Sequence, residues 1–317
     1  MTEPDNGNIS VVVPVYNGGQ TVSATIEHLL WQSLAPMEII VVNDGSTDDT
    51  AAILKRFGNR IKVLTKDNGG PASARNEGAR AASGSLIAFT DCDCFPDVDW
   101  LKELVKGFGS PGIVGTGGIV CGASNGVIGE YIDLYSGLNP GCGSDGKVLH
   151  LVTANAAFRR DELLKANLFD ERFRRAGGED TELSVRLRSF GYELAFVDKA
   201  VVRHRHKKTI PGYLKAIANH GEGQYIIEQL WPNEADKTDR VKQVARCAAG
   251  LGTMTKFYRS YRTMHDRKRA LLFSFLDHCQ YLARFWGYHR GRRSSAMSAG
   301  SSNCEAVKSE SMTCGEQ

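Results

Sequence analysis

The chain has no apolar run of the roughly 18 to 20 residues that a membrane-spanning helix requires, so it is not expected to cross a bilayer unaided. Its eight cysteines (Cys92, Cys94, Cys121, Cys142, Cys247, Cys279, Cys304 and Cys314) form no C-x-x-C pair, which argues against a zinc-type framework. No signal peptide precedes the first strand-like run, and the thiols are expected to be reduced and cytosolic. Neither sign of charge dominates. With 39 basic and 36 acidic residues the net charge is +3, too small to imply nucleic-acid binding, although basic residues thicken toward the C-terminal third. Internal repeats are also lacking. What remains is 317 residues, 42% hydrophobic and 24% charged, which suits a globular chain of one large domain or two small ones.

What is there begins with alternation. Short β-branched runs (Ile9–Val13, Glu38–Val42, Ile61–Leu64, Leu86–Thr90) alternate with helical patterns (Thr21–Ser33, Thr47–Phe57, Pro71–Ala82). That order implies an α/β fold with a parallel sheet covered on both faces. Thr21 stands before the stripe Val22, Ile26, Leu29 and Leu30, and Ser46 or Thr47 before Ala51 and Leu54, as helix caps. In such sheets the ligand lies at the carboxyl ends of the strands.

Four clusters fall there. The first strand ends in Pro14-Val15-Tyr16-Asn17 and the second in Asn43-Asp44-Gly45-Ser46-Thr47-Asp48. Asp44-Gly45-Ser46 on its own is equally a turn into a helix. After the third, Asn68-Gly69-Gly70 opens a helix that carries Arg75, able to reach a phosphate or a base. The fourth ends in Asp91-Cys92-Asp93, where strand alternation would send both carboxylates to one side and so onto one ion. Hard oxygen ligands suit Mg²⁺ or Mn²⁺.

Later in the chain, Gly177-Gly178-Glu179-Asp180 opens a helix from Glu179 to Phe190 in which Asp180, Leu183 and Leu187 share a stripe. An acidic pair here complements a helix N-terminus in any case, a surface effect below about 1 kcal/mol. His204 and His206 fall on one side of an extended segment that ends in Lys207-Lys208, suited to completing a metal site or touching a diphosphate and equally to a basic, solvated strand end. Residues 107–150 are rich in glycine and fit bending strands and a long loop better than helices. Further strands are expected over Leu149–Phe158, Tyr192–Val197 and Ala200–His204.

Three sheet-top loops followed by D-x-D, in this order and spacing, resemble the inverting family 2 glycosyltransferases of GT-A fold over residues 8–205. The resemblance implies a Rossmann-like mixed sheet and a nucleoside-diphosphate-sugar donor, UDP-linked in the usual case. It further implies that Asp44 contacts the base, that Pro14, Tyr16, Arg75 and Asp91 line the nucleotide, and that Asp93 ligates the metal, with Asp91 beside it. G-G-E-D makes Asp180 the base that takes the acceptor proton, and His204 is the residue best suited to complete the metal site. The Q-x-x-R-W motif of processive members such as cellulose or hyaluronan synthases is absent, which implies transfer of a single sugar to a hydroxyl of a glycan or lipid-linked acceptor. Two rivals stand beside this reading. A nucleotidyltransferase on the same fold would carry a basic glycine-rich loop after its first strand, and a non-catalytic nucleotide- or glycan-binding scaffold would not need Asp91, Asp93 and Asp180 together.

The expected organisation is a GT-A catalytic domain over residues 1–208, with nucleotide-sugar binding in 8–95 and the acceptor part in 96–208. A helical C-terminal region follows over 209–293, then a disordered, Ser-rich tail over 294–317. Apolar residues from Leu271 to Trp286 lie between Arg267-Lys268-Arg269 and Arg290-Gly291-Arg292-Arg293. Such a segment is suited to peripheral contact with the inner face of a membrane by a cytoplasmic enzyme, and equally to packing on the catalytic domain or a second subunit.

Overall fold

The computed structural model describes residues 8–123, 126–135, 138–206, 209–232 and 266–312. The chain divides into two compact units, Met1–Ile210 and Pro211–Gln317.

The first unit is built on an eight-stranded sheet of order β3-β2-β1-β4-β9-β6-β10-β5. Its parallel part comprises β1 (Ile9–Val15), β2 (Glu38–Asp44), β3 (Lys62–Lys66) and β4 (Leu86–Phe89), linked by α1 (Val22–Leu30), α2 (Thr50–Lys55) and α3 (Pro71–Ala81). Strand alternation makes two cores. Val11, Val13, Ile39 and Val41 pack on one face with Val22, Ile26, Leu29 and Leu54. Val12, Ile40 and Val42 pack on the other with Ala72, Ala74 and Ala79. All are buried, and each large aliphatic side chain contributes about 1.5–3 kcal/mol. Pairing of β1 with β4 stops at Val12↔Phe89 while pairing with β2 continues to Val15↔Asn43. The sheet therefore opens at its top between β1 and β4, where the chain reverses its direction across the sheet and such folds bind ligands.

The remaining strands make the sheet mixed. They are β5 (Cys94–Pro96), β6 (Ile113–Gly122), β9 (Ala156–Arg159) and β10 (Glu193–His204), with β9 antiparallel to both β4 and β6. Strand β10 runs parallel to β6 and antiparallel to β5, and β7 (Gly141–Cys142) pairs with β8 (Val148–His150) apart from the sheet. Helices α4 (Trp100–Lys106), α5 (Val127–Tyr135), α6 (Arg160–Lys165) and α7 (Glu179–Ser189) complete the unit.

Four expectations are corrected. The glycine-rich stretch holds a helix, α5, which forms because its Tyr131 is fully buried despite Gly126 and Gly129. Leu149–Phe158 is interrupted by a 3₁₀ turn at Thr153–Asn155, held by the Asn155 side chain donating to Ile119 O and Ala200 O. The two expected strands after Gly191 are one, β10, with an irregularity between Val197 and Val201 that absorbs Asp198 and Lys199. Asp91-Cys92-Asp93 is a turn beyond the end of β4, closed by Cys94 N donating to Asp91 O at 3.1 Å, so strand alternation does not orient its carboxylates.

The second unit contains α8 (Ile210–Leu230) and α9 (Arg267–Met312). Their backbones meet closely because Gly221 faces Arg284 O and Gly287 faces Ala218 O, where a Cβ would have no room. Tyr213 donates to Gln280 (2.8 Å), Tyr288 to Glu228 (2.6 Å) and Arg290 to Glu222 (2.8 Å) along this contact. Helix α9 continues to Met312, through most of the segment that composition marks as a tail; elongating a formed helix carries no nucleation cost. Residues 313–317 lie outside the described residues, as do Lys207 and Lys208. No described helix is long and apolar enough to cross a membrane.

Candidate active site

The loops after β1 and β2 are stitched together. Asn17 N donates to Ser46 Oγ (2.9 Å), and its own side-chain oxygen accepts Thr47 N (2.8 Å). Gly18 N and Gly19 N donate to Thr50 Oγ1 and Asp48 Oδ2, both at 3.0 Å. Ser46 and Thr47 are thus spent on Asn17 and do not cap α2, which starts later at Thr50. Thr21 occupies the N-cap of α1 but donates its hydroxyl to Gly18 O, with no side-chain cap bond. Tyr16 stands 52% exposed beyond this clamp, and Pro14 is buried beneath it.

Asp44, buried at the end of β2, holds the third loop. Its carboxylate accepts Lys66 Nζ (3.0 Å), Gly69 N (2.9 Å) and Gly70 N (2.8 Å). A carboxylate has about four acceptor sites, so one remains. Gly70 has φ 90° and faces the carbonyl of Arg174, a position that admits no side chain.

One turn into α3, Arg75 crosses from this half of the site to the other. It is buried and pairs with Asp91 Oδ1 (2.8 Å) and Glu179 Oε1 (2.8 Å), the latter 104 residues away in sequence. Burial opposes its charge, but Asp91 and Glu179 outweigh that and push its pKa up. Glu179 also accepts Gly177 N (2.8 Å), which fixes the loop entering α7. The neighbouring Asp180 is half-buried and accepts Thr181 N (2.8 Å) and Thr153 N (3.4 Å). Leu183 and Leu187 below it are fully buried, as the stripe requires. Burial raises the pKa of Glu179 and of Asp180, and the Arg75 charge offsets this only in part.

The D-x-D carboxylates part company. Asp91 turns to Arg75, whereas Asp93 Oδ1 lies 3.4 Å from His204 Nε2. Donor atoms of Asp93, Cys94 and His204 all fall within 4.8 Å of one another; Asp91 does not join them. Burial pushes the Cys94 thiol well up, with Asp91 and Asp93 adding to it, and a soft sulfur is in any case a poor match for a hard ion. A carboxylate oxygen and an imidazole nitrogen remain, a donor set that fits Mn²⁺ or Mg²⁺ with other positions left for phosphate or water.

Behind His204 stands a relay that sequence reasoning missed. His204 Nδ1 meets His206 Nδ1 at 3.0 Å, and His206 Nε2 meets Asp133 Oδ1 of α5 at 2.8 Å. A carboxylate only accepts, so His206 donates through Nε2 and, when neutral, accepts through Nδ1. Burial lowers the pKa of His206 and favours that neutral form, although Asp133 works the other way. His204 then donates through Nδ1, and when it is neutral its Nε2 lone pair faces Asp93. The pairing of His204 with His206 was a visible signal; Asp133 lay in a segment with no readable pattern.

Comparison with known proteins places this geometry. Residues 10–164 match the model of glycosyl transferase family 2. The chain carries a family 2 glycosyltransferase domain. Glycosyltransferase GlyG of Streptococcus pneumoniae is 45% identical over 102 residues, 31% of this chain and 34% of that protein, so the matched stretch spans about a third of the relative's length. A mannosyltransferase from Pyrobaculum calidifontis, solved with GDP-mannose and Mn²⁺, superposes with a TM-score of 0.55 at 18% identity over 98% of this chain and 82% of its own. Residues 1–349 of Staphylococcus aureus TarS, solved with UDP, superpose with a TM-score of 0.53 at 16% identity over 90% and 92%. These likenesses establish the GT-A fold.

Proposed function

We propose that this family 2 domain is a metal-dependent inverting glycosyltransferase that moves one sugar from a UDP-linked donor to a hydroxyl of a glycan or lipid-linked acceptor. The observation that carries it is Arg75, which joins the D-x-D turn to the G-G-E-D loop in one buried ionic bridge. Donor-side and acceptor-side groups are thereby held as one site. Solved neighbours holding GDP-mannose with Mn²⁺ and UDP support a nucleotide-sugar donor.

In this reading the free acceptor site of Asp44 takes an N–H of the base, Tyr16 offers its exposed ring to the nucleotide, and Pro14 fixes the backbone beneath. Asp93 and His204 would hold Mn²⁺ or Mg²⁺, which when bound would supply neutralisation of the charge that develops on the leaving diphosphate. Asp180 Oδ2 takes the proton of the acceptor hydroxyl as that oxygen attacks the anomeric carbon opposite the leaving group. Its raised pKa, caused by burial, makes it a better proton acceptor than an exposed carboxylate. Glu179, neutralised by Arg75, is the less suitable base.

A panel of nucleotide sugars scored by released UDP or GDP tests the activity, with UDP release the expected result. Calorimetry tests the metal: Asp93→Ala should make UDP affinity independent of Mn²⁺, because the remaining carboxylates repel a bare diphosphate. Equal Mn²⁺ dependence in wild type and variant would remove Asp93 from the ligand set.

A further inference from the structure

The exposed face of α9 is built for a charged, apolar surface. Leu271 (54%), Phe275 (47%), Leu282 (45%), Phe285 (41%) and Trp286 (60%) are all open to solvent. At 100° per residue they fall within an arc of about 100°, along roughly 22 Å of helix. The opposite arc holds Ala270, Phe273, Leu276 and Asp277, all buried, together with Gly287, which meets α8. These apolar residues therefore sort into a packed face and an open one. An open stripe of five large side chains is not needed to hold the unit together.

Charge decides what fits it. Residues 267–293 contain seven basic residues and one acidic residue, Asp277, which is buried on the far side. Arg267 and Lys268 lie at one end of the stripe, Arg292 and Arg293 at the other, all exposed. A second copy would bring two such basic strips together, and they would repel. An anionic bilayer presents the complement: negative headgroups for the ends and acyl chains for the middle, with Trp286 at the headgroup level. We propose that this face of α9 lies on an anionic lipid surface, the helix resting in the interface and not crossing it. The inference stands on α9 alone and does not depend on the catalytic reading.

The full chain should sediment with vesicles of phosphatidylcholine and phosphatidylglycerol at low salt, be released at high salt, and ignore phosphatidylcholine alone. Brominated lipid should quench tryptophan fluorescence in the wild type, and Trp286→Phe should lose most of that quenching. Phe275→Ser with Leu282→Ser should abolish binding. Arg292→Glu with Arg293→Glu alters only exposed side chains and should weaken binding by about tenfold or more. Unchanged thermal transitions would show that the variants fold. Equal binding to neutral and anionic vesicles, no binding at low salt, or a dimer that the Phe275/Leu282 variant dissolves would each overturn the proposal. UDP binding measured on the same samples keeps failure here separate from failure of the catalytic reading.

Discussion

Asp44 and Asp180 are both acidic residues at the sheet top, each beside a pair of glycines, and they are treated in opposite ways. Asp44 receives two backbone N–H groups and a lysine, so three of its acceptor sites hold Lys66 and the Gly69-Gly70 loop. Asp180 receives one good backbone donor, and its other two donors are long, Thr153 N at 3.4 Å and the Thr181 hydroxyl at 3.5 Å, while the nearby cation, Arg75, is engaged by Glu179 and Asp91. A satisfied carboxylate shapes a pocket. An undersatisfied one retains affinity for a proton, and that is what a base for an acceptor hydroxyl needs.

The largest effect should come from Asp180→Asn, which keeps the shape and removes the proton acceptor. Turnover should fall by about 10²- to 10⁴-fold with UDP affinity unchanged. The same variant should melt higher than wild type at neutral pH. The sign follows from linkage: a carboxyl whose folded pKa is raised adds stability below the ordinary value of about 3.9, and that contribution is lost as pH rises through the raised value. Asparagine escapes this loss, so the gap in melting temperature should close as the solution is acidified. The acid limb of the wild-type rate should likewise sit above the ordinary carboxylate range. Near-wild-type transfer by the variant would return Asp180 to complementing the helix N-terminus.

Arg75→Met sharpens the contrast from the other side. It leaves Asp91 and Glu179 facing each other without their shared cation, and breaking a buried pair in this way costs about 3–5 kcal/mol. Urea denaturation measures it. Adding Glu179→Gln should recover part of the loss, since one of the two stranded charges is then gone. A loss below about 1 kcal/mol for Arg75→Met would mean that water enters and takes over the guanidinium's role.

Asp133→Asn tests a third carboxylate, joined through two imidazoles to the proposed metal site. Loss of such an outer partner weakens metal binding by about 10- to 100-fold. Calorimetry of Mn²⁺ in the presence of UDP reads this without turnover. Histidine ¹⁵N spectra add a signature that misfolding would not mimic, because His204 should carry its proton on Nδ1 in the wild type and lose that preference in the variant. Unchanged Mn²⁺ affinity beside a wild-type protein that does bind Mn²⁺ would leave Asp133 with a purely structural bond.

These partnerships differ in how far the sequence announces them. The β-α series up to Phe89 was legible because burial on two faces imposes period two on strands such as Ile9–Val15, and helices such as α1 show their stripe. The four sheet-top clusters followed from that order. Arg75 with Glu179 was not legible, since a pair 104 residues apart leaves no local period. Helix α5 was hidden by its glycines, and with it Asp133. The D-x-D turn was misread as a strand because Asp91 to Cys94 alternates in sequence although the backbone closes a turn there. Local rules locate the loops; only tertiary contact decides which carboxylate is satisfied.

The smallest expected effect belongs to Lys66→Met, and it tests whether Asp44 is as well served as its partners imply. The lysine side chain is 23% exposed and supplies one of three donors to a carboxylate that is otherwise buried. Water can take its place at the open edge, so the loss should stay near 1 kcal/mol, the upper range for partly exposed ion pairs. Removing a backbone donor instead would need the loop itself to move, which Gly70, seated against Arg174 O, does not allow. Chemical denaturation of Lys66→Met at two salt concentrations reads the result, with the difference from wild type shrinking as salt rises. A loss as large as that of Arg75→Met would show that Asp44 depends on its lysine as heavily as Glu179 depends on its arginine, and the contrast between a satisfied and an undersatisfied carboxylate would fail.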